Sequence, residues 1–238
     1  MNCRLRLLLA IVALVCIGKS GQAQATYGPG GLFVHASAFM PRPRQLDLNV
    51  SYFTQRLAPN PRSAFVPVSL TYGVSPQFEV GALYLNQPRG NPGGDSGGAF
   101  LKYQLMPDTP RQPAFAIAGS LLGGSIRLFS LSAVFSHTFT RADRPLFIGH
   151  LGVHYTRRTD LPHVDEHLDG YYGVEIPFSR TVSALVEAHT TFDRRALSAV
   201  GLKWSLGRGV NLGIGYVNIS SDDPEFFVGV GYPLGGGR

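Results

Sequence analysis

The sequence predicts an all-β protein, an antiparallel transmembrane up-and-down β-barrel of about 12 strands, and three observations lead to it. Apolar residues recur at every second position along most of the chain after residue 26. In "QLDLNVSY", Leu46, Leu48, Val50 and Tyr52 share one face, while Gln45, Asp47, Asn49 and Ser51 share the other. Successive side chains of a strand point to opposite faces, so a period of two is the strand period. The connections are asymmetric as well. Ser75 to Gln77, Ser179-Arg180 and Gly207 to Gly209 are tight turns on one edge, whereas 87–96, 158–169 and 220–224 are longer polar loops on the other. Only Gly123-Gly124 puts a tight turn among the loops. Finally, Tyr52, Tyr72, Tyr84, Phe139, Tyr155, Phe178, Trp204, Tyr216 and Tyr232 fall near strand ends, where interfacial aromatic girdles belong. A sheet in hydrocarbon must close on itself, because an open edge would leave backbone groups unpaired.

In chain order, the first element is residues 1–25. Arg4 and Arg6 precede an apolar run from Leu7 to Ile17 and a small, polar stretch ending in Ala23-Gln24-Ala25. Basic, apolar and small-residue regions in that order predict a cleaved signal peptide, and the apolar run is too short to span a bilayer. The 26–44 segment is expected to form an extra strand, a plug or a periplasmic tail. The barrel itself, 45–238, is expected to use strands near 45–56, 65–74, 77–86, 97–106, 113–122, 125–139, 146–157, 169–177, 182–191, 196–206, 209–218 and 225–234. Nowhere after the signal does the sequence hold an apolar run long enough for a membrane helix.

Both cysteines, Cys3 and Cys16, lie in the signal, so the exported chain needs no disulfide framework. Removing Arg4, Arg6 and Lys19 lowers the formal charge from +6 to +3, too mild a charge to suggest a nucleic-acid partner, and none is expected.

The hairpin "VSLTYGVSPQFEVGALY" resembles those of bacterial outer-membrane barrel families, with Tyr72-Gly73, a polar turn and then Phe78-Glu79. "GGLFVHASAFMPRPRQLDLNVSYF" is similar to the opening segment of barrels of the YjbH type, over roughly residues 31 to 86 in all. That resemblance implies an outer-membrane location in a Gram-negative-type bacterium, insertion by the barrel-assembly machinery, contact with outer-membrane lipid and a link to exopolysaccharide secretion. The end of the chain departs from the common pattern: Phe226, Val228, Val230 and Tyr232 alternate, but the sequence runs on to Arg238 without a terminal aromatic residue.

Three groups of residues could carry chemistry. Gly-Asp-Ser-Gly-Gly around Ser96 matches the string at the nucleophile of trypsin-like proteases, but such a site needs a histidine and an aspartate earlier in the chain. His35, the one histidine before Ser96, has the wrong context and spacing, so the stretch is expected to be a loop leading into a strand. In "HVDEH", His163, Asp165 and His167 are candidate metal ligands, set against the plainer reading of a solvated loop. The third group is the polar face of the strands. With the apolar stripe toward lipid, Asp47, Asn49, Glu79, Lys102, Gln104, His150, His154, Glu175, Glu187, His189 and Lys203 face the lumen, interspersed with Gly and Ser that leave volume for water. Charges of both signs there either line an aqueous path or pair across the lumen and seal it.

The leading functional expectation is a channel or export-associated pore for small or saccharide-like solutes, with no cofactor and no catalytic residues. A non-conducting barrel acting through its external loops is the alternative. A membrane enzyme would need an outward His and Ser pair, and His137 has no serine partner. A soluble barrel would share the alternation with its faces reversed.

Overall fold

The computed structural model describes residues 35–56, 62–86, 94–142, 144–159, 164–191, 196–206, 209–217 and 225–235. The signal peptide, residues 26–34 and His163 lie outside them. Twelve strands follow one another: β1 (Leu46–Arg56), β2 (Arg62–Ser75), β3 (Phe78–Asn86), β4 (Ser96–Met106), β5 (Ala114–Gly124), β6 (Leu128–Arg141), β7 (Arg144–Arg158), β8 (Asp165–Pro177), β9 (Val182–Thr191), β10 (Ala196–Leu206), β11 (Val210–Val217) and β12 (Glu225–Gly235). Each pairs with its neighbours in sequence, and β1 pairs antiparallel with β12 through partners such as Val50 and Val230, which closes the barrel.

The alternation sets which face is which. Outward positions are apolar and exposed, among them Leu101, Leu131, Leu151, Val153, Tyr172 and Tyr216, while the positions between them are buried. So continuous an apolar exterior far exceeds the patches that soluble monomers carry, and it suits lipid. Among the described residues the register shifts sit at one rim, at Leu46/Asp47, Gly73/Ser75, Gln104/Met106 and Phe139/Thr140. This is the rim of the short 76–77 turn, and bulges there bend the strands where the barrel ends.

The 158–169 loop is a correction. β7 runs to Arg158 and β8 already begins at Asp165, with Arg158 opposite Asp165 and Arg157 opposite Glu166. Arg157 and Glu166 form an ion pair of 3.2 Å, so cross-strand charge pairing extends the hairpin through residues whose polarity reads as loop.

The interior is not the open, glycine-lined space that composition implies. Phe53 stacks on Phe65 with ring centroids 5.0 Å apart, and Leu83, Leu85, Phe100 and Phe227 join them in one buried cluster. Phe100 lies across Gly81, where a Cβ would meet its ring at 2.2 Å. Glycine thus provides room for a neighbour's ring.

Candidate functional site

Residues 35–41 lie inside the barrel and give the interior its organisation. The chain passes the short-turn rim at Gly73, whose carbonyl accepts from the Arg44 amide (2.6 Å) and whose amide donates to the Gln45 carbonyl (3.0 Å). A Cβ on Gly73 would stand 2.3 Å from the Arg42 carbonyl oxygen, so only glycine admits this approach. From there the segment runs up the lumen, held by side chains of four strands. Lys102 of β4 donates to the Phe39 carbonyl (2.7 Å) and Gln104, also of β4, to the Ala38 carbonyl (2.8 Å). The Ala38 amide donates to Ser136 Oγ of β6 (2.9 Å), and Tyr171 of β8 donates its hydroxyl to the Ala36 carbonyl (3.0 Å). Glu187 of β9 accepts from the His35 amide (2.9 Å) and pairs with His35 Nδ1 at 2.5 Å. Backbone groups buried in a barrel need such partners, and the wall supplies them one by one.

The segment is slender where it must be. Ala36-Ser37-Ala38 is all buried, and Ala38 lies between Gln104 and Ser136, beside the inward alanines Ala114 and Ala116 of β5. Both alanines are 0% exposed, although a methyl group facing an empty lumen would be open to water. At the far end, His35 stacks on Tyr171 with centroids 4.3 Å apart and meets His154 and His189 edge-on at 5.7 and 5.1 Å. Tyr171 reaches this place because Gly152 on the next strand leaves its ring room; a Cβ there would stand 2.5 Å from it.

The sequence-derived lumen residues divide by what they touch. Lys102, Gln104 and Glu187 hold the segment by hydrogen bonds. His150, His154 and His189 meet its rings, His150 through Phe39 at 5.9 Å, and His150 and His154 are tied to the wall by Ser136 and Ser132. Glu79 lies beside Lys102, its register partner, at 3.1 Å, with both side chains 0% exposed. Glu175 and Lys203 pair at 2.5 Å on the opposite wall, where Ser183 also donates to Glu175. Asp47 accepts from Gln45 (2.6 Å) near the rim, and Asn49 reaches toward Ser69 at 3.4 Å.

The other candidates lie elsewhere. His167 and Asp165 contact one another at 2.7 Å on β8, and among the described residues no group of three His, Cys, Asp or Glu is arranged to hold a metal. Ser96 opens β4 and accepts from the Ile126 amide (2.9 Å), so its hydroxyl pins the β5–β6 turn. His137 pairs with Asp108 at the short-turn rim (2.7 Å). Sequence reasoning missed His35, Ser136 and Tyr171; the small residues of Ala36 to Ala38 and the alanine run of β5 were the available signals.

A scan against protein-family models finds no match for this chain, and a search of curated proteins finds none. Among solved structures the barrel is similar to KdgM porin, with a TM-score of 0.60 at 11% identity, covering 79% of this chain and 99% of that one. It is also similar to KdgM porin in complex with disordered oligogalacturonate, with a TM-score of 0.62 at 10% identity and the same coverage. The likeness establishes a porin-type fold. The similarity of residues 31 to 86 to barrels of the YjbH type gains no support from these comparisons.

Proposed function

We infer that this protein is an outer-membrane channel for small hydrophilic, saccharide-like solutes, and that it prefers neutral or cationic solutes to anionic ones. The fold likeness to a porin and the apolar exterior support the membrane location. The observation that carries the reading is the inner wall of β6 to β10, where hydroxyls, imidazoles, carboxylates and an ammonium follow one another. Ser132, Ser136, His150, His154, Asp169, Glu175, Ser183, Glu187 and Lys203 occupy its inward positions. Such a wall offers both donors and acceptors to a polyhydroxylated solute. Its charge is lopsided: along the described inner wall between the rims, Glu79, Asp169, Glu175 and Glu187 outnumber Lys102 and Lys203. That excess distinguishes this lumen from one suited to a polyanion such as the oligogalacturonate of the KdgM complex.

A second reading, a non-conducting barrel acting through its external loops, is favoured by one observation. The Glu79 and Lys102 side chains are completely buried. Planar-bilayer recording under a potassium chloride gradient separates the two. A cation-preferring reversal potential is expected, moving toward anions in Glu175→Gln and toward cations in Lys203→Gln. Anion preference would refute the assigned solute class, and a lumen that stays silent after its internal segment has been displaced would refute the channel.

A further inference from the structure

We propose that residues 35–41 are a reversible plug, seated in the lumen by a clasp of Lys102, Gln104, Ser136, Tyr171 and Glu187, and that the structure is the closed state of the channel. This inference rests on the channel reading for its consequence but not for its geometry.

The seat turns polar groups of the wall toward a peptide backbone, although Lys102 and Ser136 also meet Glu79 and His150 of the wall. Its donors, the Lys102 ammonium, the Gln104 amide and the Tyr171 hydroxyl, each meet a backbone carbonyl; its acceptors, Ser136 and Glu187, each meet a backbone amide. Every one of these contacts joins the segment to a different register position of the barrel, so the segment spans the lumen from β4 to β9. No strand of the sheet pairs with residues 37–41 by a backbone ladder. The barrel is closed by β1 and β12 without them. Ala36 alone in the segment forms a β-bridge, so withdrawal of the segment leaves the twelve strands' pairing with one another intact.

Wall and segment are matched in volume. Ala114, Ala116 and Ala118 give β5 an inward face of methyl groups, and Ala38, itself 0% exposed, fills the space in front of them. The contact at Gly73 fixes where the segment enters, and its one left-handed non-glycine turn, Arg44 at φ 61°, redirects the chain from the lumen into β1. Net hydrogen-bond gains of the seat are opposed by the entropy of ordering the segment's backbone, the opposition that a reversible plug requires. A polar solute that offers hydroxyls to the same donors and acceptors competes with the segment for them.

The test uses the full barrel with Cys3 and Cys16 replaced by serine and a reporter, Ala116→Cys, labelled by a water-soluble maleimide. In the release variant, Ala36→Trp with Ala38→Trp, the bulk is added to the segment while the wall keeps its own residues. Labelling of Cys at position 116 should accelerate at least tenfold, and planar-bilayer openings should become at least tenfold more frequent. Gly73→Val, which drives a Cβ into the Arg42 carbonyl at the rim, should produce the same two changes by an independent route. Circular dichroism in the bilayer verifies that each variant keeps its β-sheet. Labelling reads the seat and conductance reads the channel. Equal labelling of parent and both release variants overturns the plug, whatever the conductance; so does a parent that labels slowly yet conducts as freely as the released forms. Fast labelling of the released forms without any conductance supports the seat and overturns the channel reading instead.

Discussion

The pair of Glu79 and Lys102 decides whether the β3–β4 side of the lumen is dry. The two are register partners on adjacent strands, 3.1 Å apart and 0% exposed, and Lys102 also holds the Phe39 carbonyl. A solvated pair in a water-filled lumen would contribute at most about 1 kcal/mol, because water screens it. A desolvated pair behaves differently, since removing one partner strands the other charge and costs about 3 to 5 kcal/mol. Lys102→Met keeps the length of the stem and removes the charge, so it should fall in that upper range. Glu79→Met with Lys102→Met should destabilise less than Lys102→Met alone, because no charge is left buried. The loss of the Phe39 hydrogen bond occurs in both backgrounds and cancels, leaving a coupling of at least about 2 kcal/mol. The assay is urea titration of folding into lipid vesicles, followed by the fluorescence of Trp204, the chain's one tryptophan. Single-variant losses under about 1 kcal/mol that simply add in the double variant would show a wet pair, and the case for a seated segment would fall with it.

Leu151→Arg tests the membrane face: Leu151 is 62% exposed and central on β7, so an arginine there should cost about 2 to 4 kcal/mol in the same titration. A loss within about 0.5 kcal/mol, the ordinary range for a surface substitution in water, would speak for a soluble barrel. Gly152→Ala should push the Tyr171 ring off its place and loosen both the Ala36 hydrogen bond and the His35 stack, accelerating maleimide labelling at position 116 severalfold. Unchanged labelling would remove Tyr171 from the clasp. The space vacated by one extended segment is about 5 by 10 Å in section, from the spacing of strands and of packed sheets. Proteoliposomes of the released variant should therefore admit a linear neutral oligosaccharide and exclude a cyclodextrin; equal entry of both would mean that the pore is not shaped by the segment.

Much of the barrel could be read from the chain because a period of two fixes both the strand and its faces. Glu79, Lys102 and Glu187 alternate with apolar neighbours, and the structure buries each of them. β8 was harder. Asp165, Glu166 and His167 look like loop residues until Arg157 and Arg158 are set opposite them, and that pairing is a property of two strands together. The inward aromatics were harder still. Tyr52 and Phe53 are adjacent and both apolar in character, yet one faces out and the other is buried against Phe65. Glycines on the inner wall read as empty volume, but Gly81 and Gly152 are the places over which Phe100 and Tyr171 fold.

The internal segment escaped the sequence for a more general reason. Alternation says which side chains face the lumen and nothing of what they meet there. Lys102, Gln104 and Tyr171 as donors, with Ser136 and Glu187 as acceptors, complement a peptide backbone, whose carbonyls and amides alternate along an extended chain. They complement equally the hydroxyls of a saccharide or an ordered file of water, because a hydrogen-bonding wall is blind to the scaffold that carries its partners. The residues that make the lumen fit for a polar solute are thus the residues that let the chain fill it. What separates the two states is steric: the alanines of β5 and the glycines at 73 and 152 are shaped around Ala38, Arg42 and Tyr171. Those small residues, more than the charged ones, record that the lumen was built with an occupant.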